Sequence, residues 1–538
     1  MKIQAADLPG ANPLFVDYVQ NFHRLREFYA HDYRQEAAVL AQIEQVRDRR
    51  YPRIEMGRVL ERQNRAFGAE NATMKNIEDL ALGNANVIIT GQQVGLFGGP
   101  LFVLYKALTA IKLADRLQRI CKGCFVPVFW LATDDTDFAE VNHAHVLTRD
   151  YSIETLRLST GPPAPVPMAQ VHLQTEITDL IARLQQISPE TEFIEEILGL
   201  LASAYQPGRS LGQAFGAWLM RLLRDFGLIV VDPSDPEIKK LSAAVLAREI
   251  HDGSPATQAV LQATESLQAM QYVPQLRLRP GYLNLFYFND RRHALALQDG
   301  RIVSTDGRLS FRRAELETEL HEHPERFAPN VVLRPVLQDS LFPTIAYVAG
   351  PSEIAYFAQL KGVYDLYGVP MPLIYPRKFM TLIEPGIDRL LDKYHLHVRD
   401  LWGNIEPLIT QYTRHHLPES LLNTLAQYRR EWPEKLQELK SAIRQVDPTL
   451  EKMTESTAGR VAHALDQLEK KVVQAGRRKN ETVRKQFYKM ANSLYPGGSL
   501  QERVHNFTPY LFKYGRFFIE RVYEVMDIAD FHHQLMRL

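Results

Sequence analysis

Residues 125–133 read FVPVFWLAT, and no other stretch limits the possible folds of this chain so strongly. The apolar residues are nearly continuous and do not alternate with polar ones, so neither face of such a strand can be turned to water. A strand buried on both faces belongs to a sheet covered by helices on both sides, which is the situation of parallel sheets. The neighbouring sequence supplies those helices. A short apolar run at 87–90 precedes a helical stretch at 101–119. The helical GQAFGAWLMRLLRDFG leads into LIVVD, which ends at Asp232, and SEIAYFAQLKGVYDLYG leads into PMPLIYPR. Strands alternating with helices predict an α/β chain with a Rossmann-like, doubly wound parallel sheet.

Other regions break that rhythm. Residues 1–85 carry apolar residues at three- and four-residue spacing and read as helices. Residues 147–205 and about 275–335 read as insertions in the core. The second holds antiparallel strands, with turns expected at Asn289-Asp290, Asp299-Gly300 and Asp306-Gly307. Further on, Leu425, Tyr428, Trp432, Leu436, Leu439, Ile443 and Val446 recur in threes and fours. After Asp447-Pro448 the spacing returns at Leu465, Leu468, Val472 and Ala475, then at Val483, Phe487 and Met490. Charged faces lie between, as in an antiparallel helical hairpin or coiled coil. Pro433 is expected to kink or restart its first arm. YPGGSL at 495–500 closes the second arm, and the apolar tail after it is expected to dock. The expected domains are a Rossmann-like core over 1–388, a helical coiled-coil domain over 389–500 and a docking segment over 501–538. The stripe predicts a partner surface, most simply a homodimer contact.

Charge excludes some classes of partner. The 538 residues include 63 basic and 63 acidic side chains, so no global field holds nucleic acid or an anionic membrane. No apolar run reaches the length of a membrane span. The N-terminal residues lack the apolar core of a signal peptide, so the reading is cytoplasmic. Cys121 and Cys124 are the two cysteines, in CKGC. A zinc site needs further ligands at suitable spacing, and a redox pair gains from a helix N-terminus. The pair instead follows a helix and precedes a strand, and reads as two ordinary thiols in a turn.

In an open parallel sheet, ligands bind beyond the carboxyl ends of the strands. Thr90-Gly91-Gln92-Gln93 follows the first strand. TDDTDFAEVNH follows the second and holds Asp134, Asp135, Asp137, Glu140, Asn142 and His143. Asp232, Ser234 and Asp235 follow the third, Ser352 and Glu353 open a helix, and Arg377 and Lys378 follow the last strand. Any one of these acids could cap a helix. Three acids in four residues call in addition for a cation, a metal or donors from a substrate. Acidic neighbours are expected to favour the imidazolium of His143. No G-x-S-x-G elbow surrounds Ser352, which excludes a hydrolase triad of that type. The glycine-rich GQQVGLFGGP fails both nucleotide templates. Gly91, Gly95 and Gly98 are not spaced as G-x-G-x-x-G, and no Gly-Lys-Ser/Thr follows. Gln92 and Gln93 both donate and accept hydrogen bonds, which suits an amino acid or a sugar amine better than a bare phosphate.

GQQVGLFGGPLFVLYKALTAIKLA with VPVFWLATDDTDFAEVNH resembles the BshC family of bacillithiol-biosynthesis cysteine ligases. VAGPSEIAYFAQLKGVYDLYGVPMPLIYPR and GGSLQERVHNFTPYLFKYG resemble it too, so the likeness samples the chain from about 87 to 515. The resemblance implies a Rossmann-like core, similar to the adenylating core of class I aminoacyl-tRNA synthetases, and a coiled coil that dimerises. It implies that cysteine is joined by an amide bond to the amine of glucosaminyl-malate, with ATP, with or without Mg2+, activating the cysteine carboxylate. No tightly bound metal is expected. The family pattern continues with small hydroxyl residues where this chain has Lys378, Phe379 and Met380. That removes any phosphate contact made by hydroxyls there and leaves Arg377 matched.

On this basis Asp134, Asp135 and His143 are expected to be catalytic, with His143 or a nearby carboxylate as general base. Gln92, Gln93, Asp137, Asn142, Ser352, Glu353 and Arg377 are expected to bind substrate, and Gly91, Gly95, Asp232, Ser234 and Lys378 nucleotide. Two alternatives stay open: a nucleotidyltransferase acting on another small acid, and a non-enzymatic dimeric scaffold.

Overall fold

A computed structural model describes residues 2–289, 291–479 and 481–538, without the side chains of 477–479. The turn expected at Asn289-Asp290 involves Asp290, which lies outside the described residues. Five short apolar runs form the central sheet: β1 (Ala85–Gln92), β2 (Cys124–Leu131), β3 (Ile229–Val231), β4 (Thr344–Ala349) and β5 (Leu373–Pro376). Their order is β5-β4-β1-β2-β3, parallel throughout. Read from the other edge this is the Rossmann order 3-2-1-4-5, and its winding reverses between β1 and β4, where a crevice opens beyond the strand ends. Every residue of β2 after Cys124 is buried, as its unbroken apolar run demands. The helix Leu101–Cys121 packs against β1 and β2.

β4 is the strand the sequence reading passes over. Its run, TIAYVA, sits between an irregular insertion and a helix start, with no flanking alternation to mark it. The insertions are as expected in kind. The first, expected over 147–205, starts earlier, with the antiparallel pair His143–Leu147 and Ile153–Arg157, and continues with the helices Glu176–Ile187 and Ile194–Ala204. The second is a five-stranded antiparallel sheet built on Tyr282–Phe288 and Arg292–Gln298. Asp299 and Gly300 both have positive φ, as a two-residue primed hairpin turn requires. Cys121 ends its helix and Cys124 opens β2, both as free thiols whose pKa burial pushes up. Among the described residues no helix is long and apolar enough to cross a membrane.

The chain divides into two compact units, Met1–Leu382 with Leu500–Met536, and Ile383–Ser499 with Arg537–Leu538. The second unit is helical. Its long arms are Glu419–Val446 and Glu451–Lys479, and a further helix, Glu481–Leu494, follows. Arg429 pairs with Asp466 and Glu469, Lys440 with Glu455, and Arg444 with Glu451. Partner numbers fall on one arm as they rise on the other, so the arms are antiparallel. Pro433 neither ends nor restarts the first arm, which runs through it as one helix. A 28-residue arm has enough other hydrogen bonds and partner contacts to carry the one that proline forfeits. Leu425 and Leu436 are buried, while Tyr428, Trp432, Leu439 and Val446 stay exposed on the single chain.

In the first unit, His533 pairs with Ile3 across an antiparallel contact and is 1% exposed. Its Nε2 shares a hydrogen bond with the Thr381 hydroxyl at 2.8 Å. Burial pushes its pKa from 6.5 to about 4, with Glu502 offsetting part of the fall. A depressed histidine pKa means that the unfolded chain takes up this proton at a higher pH than the folded one. We predict that His533 stabilises the fold fully above 6.5 and that this stabilisation is lost as pH falls through about 4. The loss amounts to about 3 kcal/mol. Urea unfolding at neutral and acidic pH should show the slope in the wild type and a shallower one in His533→Gln.

Candidate active site

At the reversal between β1 and β4 lies a cleft of about 550 Å³. Its floor is the end of β1, Gly91 and Gln92, with Trp130 and Ala132 from the end of β2. Gly91 is required by contact, since a Cβ there would stand 3.0 Å from the Trp130 carbonyl. On the β4 side, Gly350 leads into the helix Pro351–Phe357, which places Ser352 and Glu353 in the wall.

Lys106 ties the two sides together. It sits inside the apolar helix after β1, is 2% exposed, and directs Nζ at the Gly91 carbonyl (2.8 Å), Gln92 Oε1 (3.0 Å) and Glu353 Oε2 (2.5 Å). Burial lowers its pKa, and Glu353 restores part of the loss. Glu353 also accepts from the Tyr347 hydroxyl and the Gly350 amide, each at 2.7 Å. Every strong donor around Glu353 is therefore aimed at one carboxylate.

Four cations, Lys106, Arg334, Arg377 and Arg503, and two carboxylates, Glu140 and Glu353, line the cleft. Lys106 is matched by Glu353. Arg377 lines the cleft, but its Nη1 and Nη2 bind both oxygens of buried Glu502 at 3.1 and 2.7 Å, and its plane lies over the Phe379 ring. Burial would raise the Glu502 pKa; Arg377 outweighs it and holds the carboxyl low. The carboxylate that Arg377 meets is thus the protein's own, while the residue keeps its place in the lining of the cleft where it was expected to bind substrate. Arg334 has only neutral hydrogen-bond partners, Gln338 Oε1 at 3.0 Å and the Tyr356 hydroxyl at 3.1 Å. The Arg503 guanidinium has no hydrogen-bond or ion-pair partner among the described residues, and burial followed by the field of Arg377 lowers its pKa.

Arg503, Gln92, Gln93, Phe102 and Glu140 also line an adjoining recess of about 280 Å³, which holds Gly95 and His143. Its roof is the glycine loop, clamped from the C-terminal segment. Asn506 Nδ2 donates to the carbonyls of Phe97 (3.1 Å) and Gly99 (2.9 Å), and Leu101 N donates to His505 O. Gly98 has φ +87°, and a Cβ there would meet the Phe507 ring at 2.3 Å. The amide of Gly95 is spent on Gln93 O, that of Gly98 on Gly95 O and the Tyr205 hydroxyl, and that of Gly99 on Leu96 O. These amides are not offered to a phosphate, so the nucleotide role expected of Gly95 finds no donor here.

The acidic cluster separates. Asp134 forms an ion pair with Lys239 at 2.7 Å, outside the cleft lining. Asp135 accepts from Gln93 Nε2 at 2.7 Å and from the amide of Thr136, while Gln93 also reaches Glu140 at 2.7 Å. Asp137 caps the short helix Phe138–Val141. Asn142 is buried and accepts from Arg157 at 3.0 Å. A lysine, a glutamine and free helix amides supply the donors that the acids call for. Burial and then Arg157 lower the His143 pKa, which favours the neutral ring over the expected imidazolium. At the end of β3, Asp232 is enclosed by the hydroxyls of Thr133 (2.5 Å) and Ser234 (2.7 Å). Lys378 turns to the carbonyls of Asp530 and His532 and burial lowers its pKa to about 8. Asp232, Ser234 and Lys378 therefore stand apart from the cleft lining. Among the described residues no cluster of His, Cys, Asp and Glu could hold a metal ion.

Residues 1–378 match the family described as "Bacillithiol biosynthesis BshC, N-terminal Rossmann-like domain", and residues 380–538 match "Bacillithiol biosynthesis BshC, C-terminal coiled-coil domain". The chain belongs to the BshC family. It is 35% identical over 535 residues to a protein of Salinibacter ruber, covering 98% of this chain and 96% of that one. It is 32% identical to one of Chloroherpeton thalassium (97% and 96% covered) and 29% identical to one of Desulforamulus reducens (100% and 99% covered). Each of these BshC relatives is named "Putative cysteine ligase BshC".

Lys106, Arg334 and Arg503 were not among the residues singled out by sequence. A lysine within LFVLYKALTAIKLA is a visible signal, because a charge on an otherwise buried helix needs a partner. We predict that Lys106→Met costs about 3–5 kcal/mol by leaving Glu353 and its donors unmatched. Adding Glu353→Gln should restore most of that in urea unfolding, since the pair would then be removed together.

Proposed function

We propose that this chain is a cysteine ligase of bacillithiol synthesis, joining cysteine to the amine of glucosaminyl-malate by an amide bond. Membership of the BshC family supports the ligase class. The observation that carries the substrate is the charge balance of the cleft: Arg334 and Arg503 have no ion-pair partner among the described residues, Lys106 and Arg377 are matched, and the remaining carboxylate, Glu140, is bound by Gln93. Glucosaminyl-malate brings two carboxylates, which guanidinium forks bind well. Gln92, Gln93 and Glu140 suit the hydroxyls and amine of the sugar.

A carboxylate is a poor electrophile, and ATP would supply the activation. The glycine loop is not a backbone cradle for its phosphates, and with Arg334 and Arg503 assigned to the two carboxylates the cleft lining leaves no further unpaired cation for a phosphate chain. His143, whose neutral ring is favoured, lies in the adjoining recess, where it can take the proton that the amine must lose. Lys106 positions Gln92 and Glu353, and Phe102 and Trp130 restrict water.

Purified protein incubated with cysteine, glucosaminyl-malate and ATP should yield bacillithiol by thiol trapping and mass spectrometry. An unchanged bacillithiol level in a deletion strain would sink the proposal. Accumulation of AMP or of ADP distinguishes the two modes of activation. Arg503→Gln should lower kcat/KM roughly 10–100-fold, the worth of a charge-assisted contact. For a His143 base, kcat/KM should climb with pH through a pKa below 6.5 and then level off, because only the neutral ring accepts a proton. His143→Gln should abolish that limb.

We also propose that the chain is a homodimer through its helical arms. Tyr428, Trp432, Leu439 and Val446 leave an apolar stripe that a second copy would cover. Light scattering should report a dimer for the wild type and a monomer for the Trp432→Glu, Leu439→Glu variant.

A further inference from the structure

At the opposite edge of the central sheet lies a separate cavity of about 330 Å³. It is walled by Ile345 and Ala346 at the start of β4, by Leu373 at the start of β5, and by the last turns of the helix Leu101–Cys121. The ligand edge described above lies at the other ends of these strands. Three aromatic rings form one side: Tyr33 meets Phe531 edge-on at 5.0 Å and Tyr375 at 5.7 Å. The Tyr375 hydroxyl is satisfied by the Ile528 carbonyl at 2.8 Å.

The Tyr33 hydroxyl is not satisfied. It is buried, its residue is 3% exposed, and it has no hydrogen-bond partner among the described residues. A buried hydroxyl without a partner is costly, but this oxygen is closed to solvent, so it is the ring of Tyr33 that forms part of the cavity wall. The charges at the mouth differ in the same respect. Arg34 is held by both oxygens of Asp32 at 2.9 and 2.7 Å. Glu36 opens the helix Glu36–Arg47, where the helix dipole favours an acid. Arg116 has neither a hydrogen-bond nor an ion-pair partner among the described residues, and lies close enough to Tyr375 for its field to act on that ring's hydroxyl.

We propose that this cavity is a second ligand site, which takes a small monocarboxylic acid with an apolar body. The body would fill the space between the aromatic rings and the aliphatic side chains of Leu113, Leu117 and Ile345, and the carboxylate would pair with Arg116. A cavity of 330 Å³ has the volume of about eleven water molecules, which suits a ring or short branched chain and excludes a nucleotide triphosphate or a long acyl chain.

The probe is 3-phenylpropionate, titrated by calorimetry and by ligand-observed NMR against the full chain, with 3-phenylpropanol and malate as controls. 3-Phenylpropionate should bind at millimolar concentration or better, and at least tenfold more tightly than either control. Ala529→Trp, an exposed position at the mouth, should block the site without disturbing the core. Arg116→Gln should weaken 3-phenylpropionate about tenfold and leave 3-phenylpropanol unchanged. No binding of 3-phenylpropionate, equal binding of 3-phenylpropanol, or an affinity indifferent to Ala529→Trp would each overturn the assignment. None of these variants touches the cleft, so this outcome is independent of the ligase reaction.

Discussion

The cleft depends on one buried ammonium. β1 and β4 diverge beyond their carboxyl ends because the helices that follow them leave on opposite faces of the sheet, and that geometry opens a crevice in any doubly wound fold. Lys106 spans the crevice from below, binding the Gly91 carbonyl and Gln92 on the β1 side and Glu353 on the β4 side. Stripping water from an ammonium is expensive, and three oxygen partners at hydrogen-bond distance are what make it tolerable. The same partners fix the rotamers of Gln92 and Glu353, so the cost of burying the charge is also what orders the walls.

The roof is ordered by a segment some 400 residues downstream. Asn506 donates to carbonyls of the glycine loop and Glu502 holds Arg377, so two short stretches of the C-terminal segment complete a site whose floor is near residue 91. Phe97, in the left-handed region at φ +53°, is buried within that loop. A non-glycine residue there is held in place by surrounding contacts. The clamp by Asn506 on the Phe97 carbonyl and the ring of Tyr205 at 5.3 Å are those contacts.

How much of this could be read in the sequence follows from which interactions are local. The strands β1, β2, β3 and β5 announce themselves through apolar runs and flanking helices, and the antiparallel arms through a repeating stripe. β4 does not, because a six-residue apolar run beside an insertion has no period to distinguish it. Gln92 and Gln93 were legible because they stand at the end of a recognisable strand, and Ser352 and Glu353 because they open a helix. Asp134 and Lys378 follow strand ends too, yet each is claimed by a partner far away in sequence, Lys239 in one case and the 530–532 carbonyls in the other. Arg503 shows the converse. It reaches the cleft from a short helix in the C-terminal segment, and no local pattern of residues reveals such an arrival.

The distribution of partners also bears on how an anion is recognised here. A phosphate loop binds through backbone amides left open at a helix start. In this chain several of those amides are closed, by Gly95 O and Tyr205 at Gly98 and by Gln93 and Leu96 carbonyls at its neighbours. Anion binding therefore passes to side chains, and among the four cations of the cleft wall only Arg334 and Arg503 lack a carboxylate of the protein's own. Guanidiniums on separate elements, one on the helix Leu333–Leu341 and one on Gln501–Val504, can hold two carboxylates at a distance from each other more readily than they can wrap one phosphate. The two guanidiniums without an ion-pair partner, with Gln92 and Gln93 in the same lining, are therefore the groups left for recognising an anionic ligand.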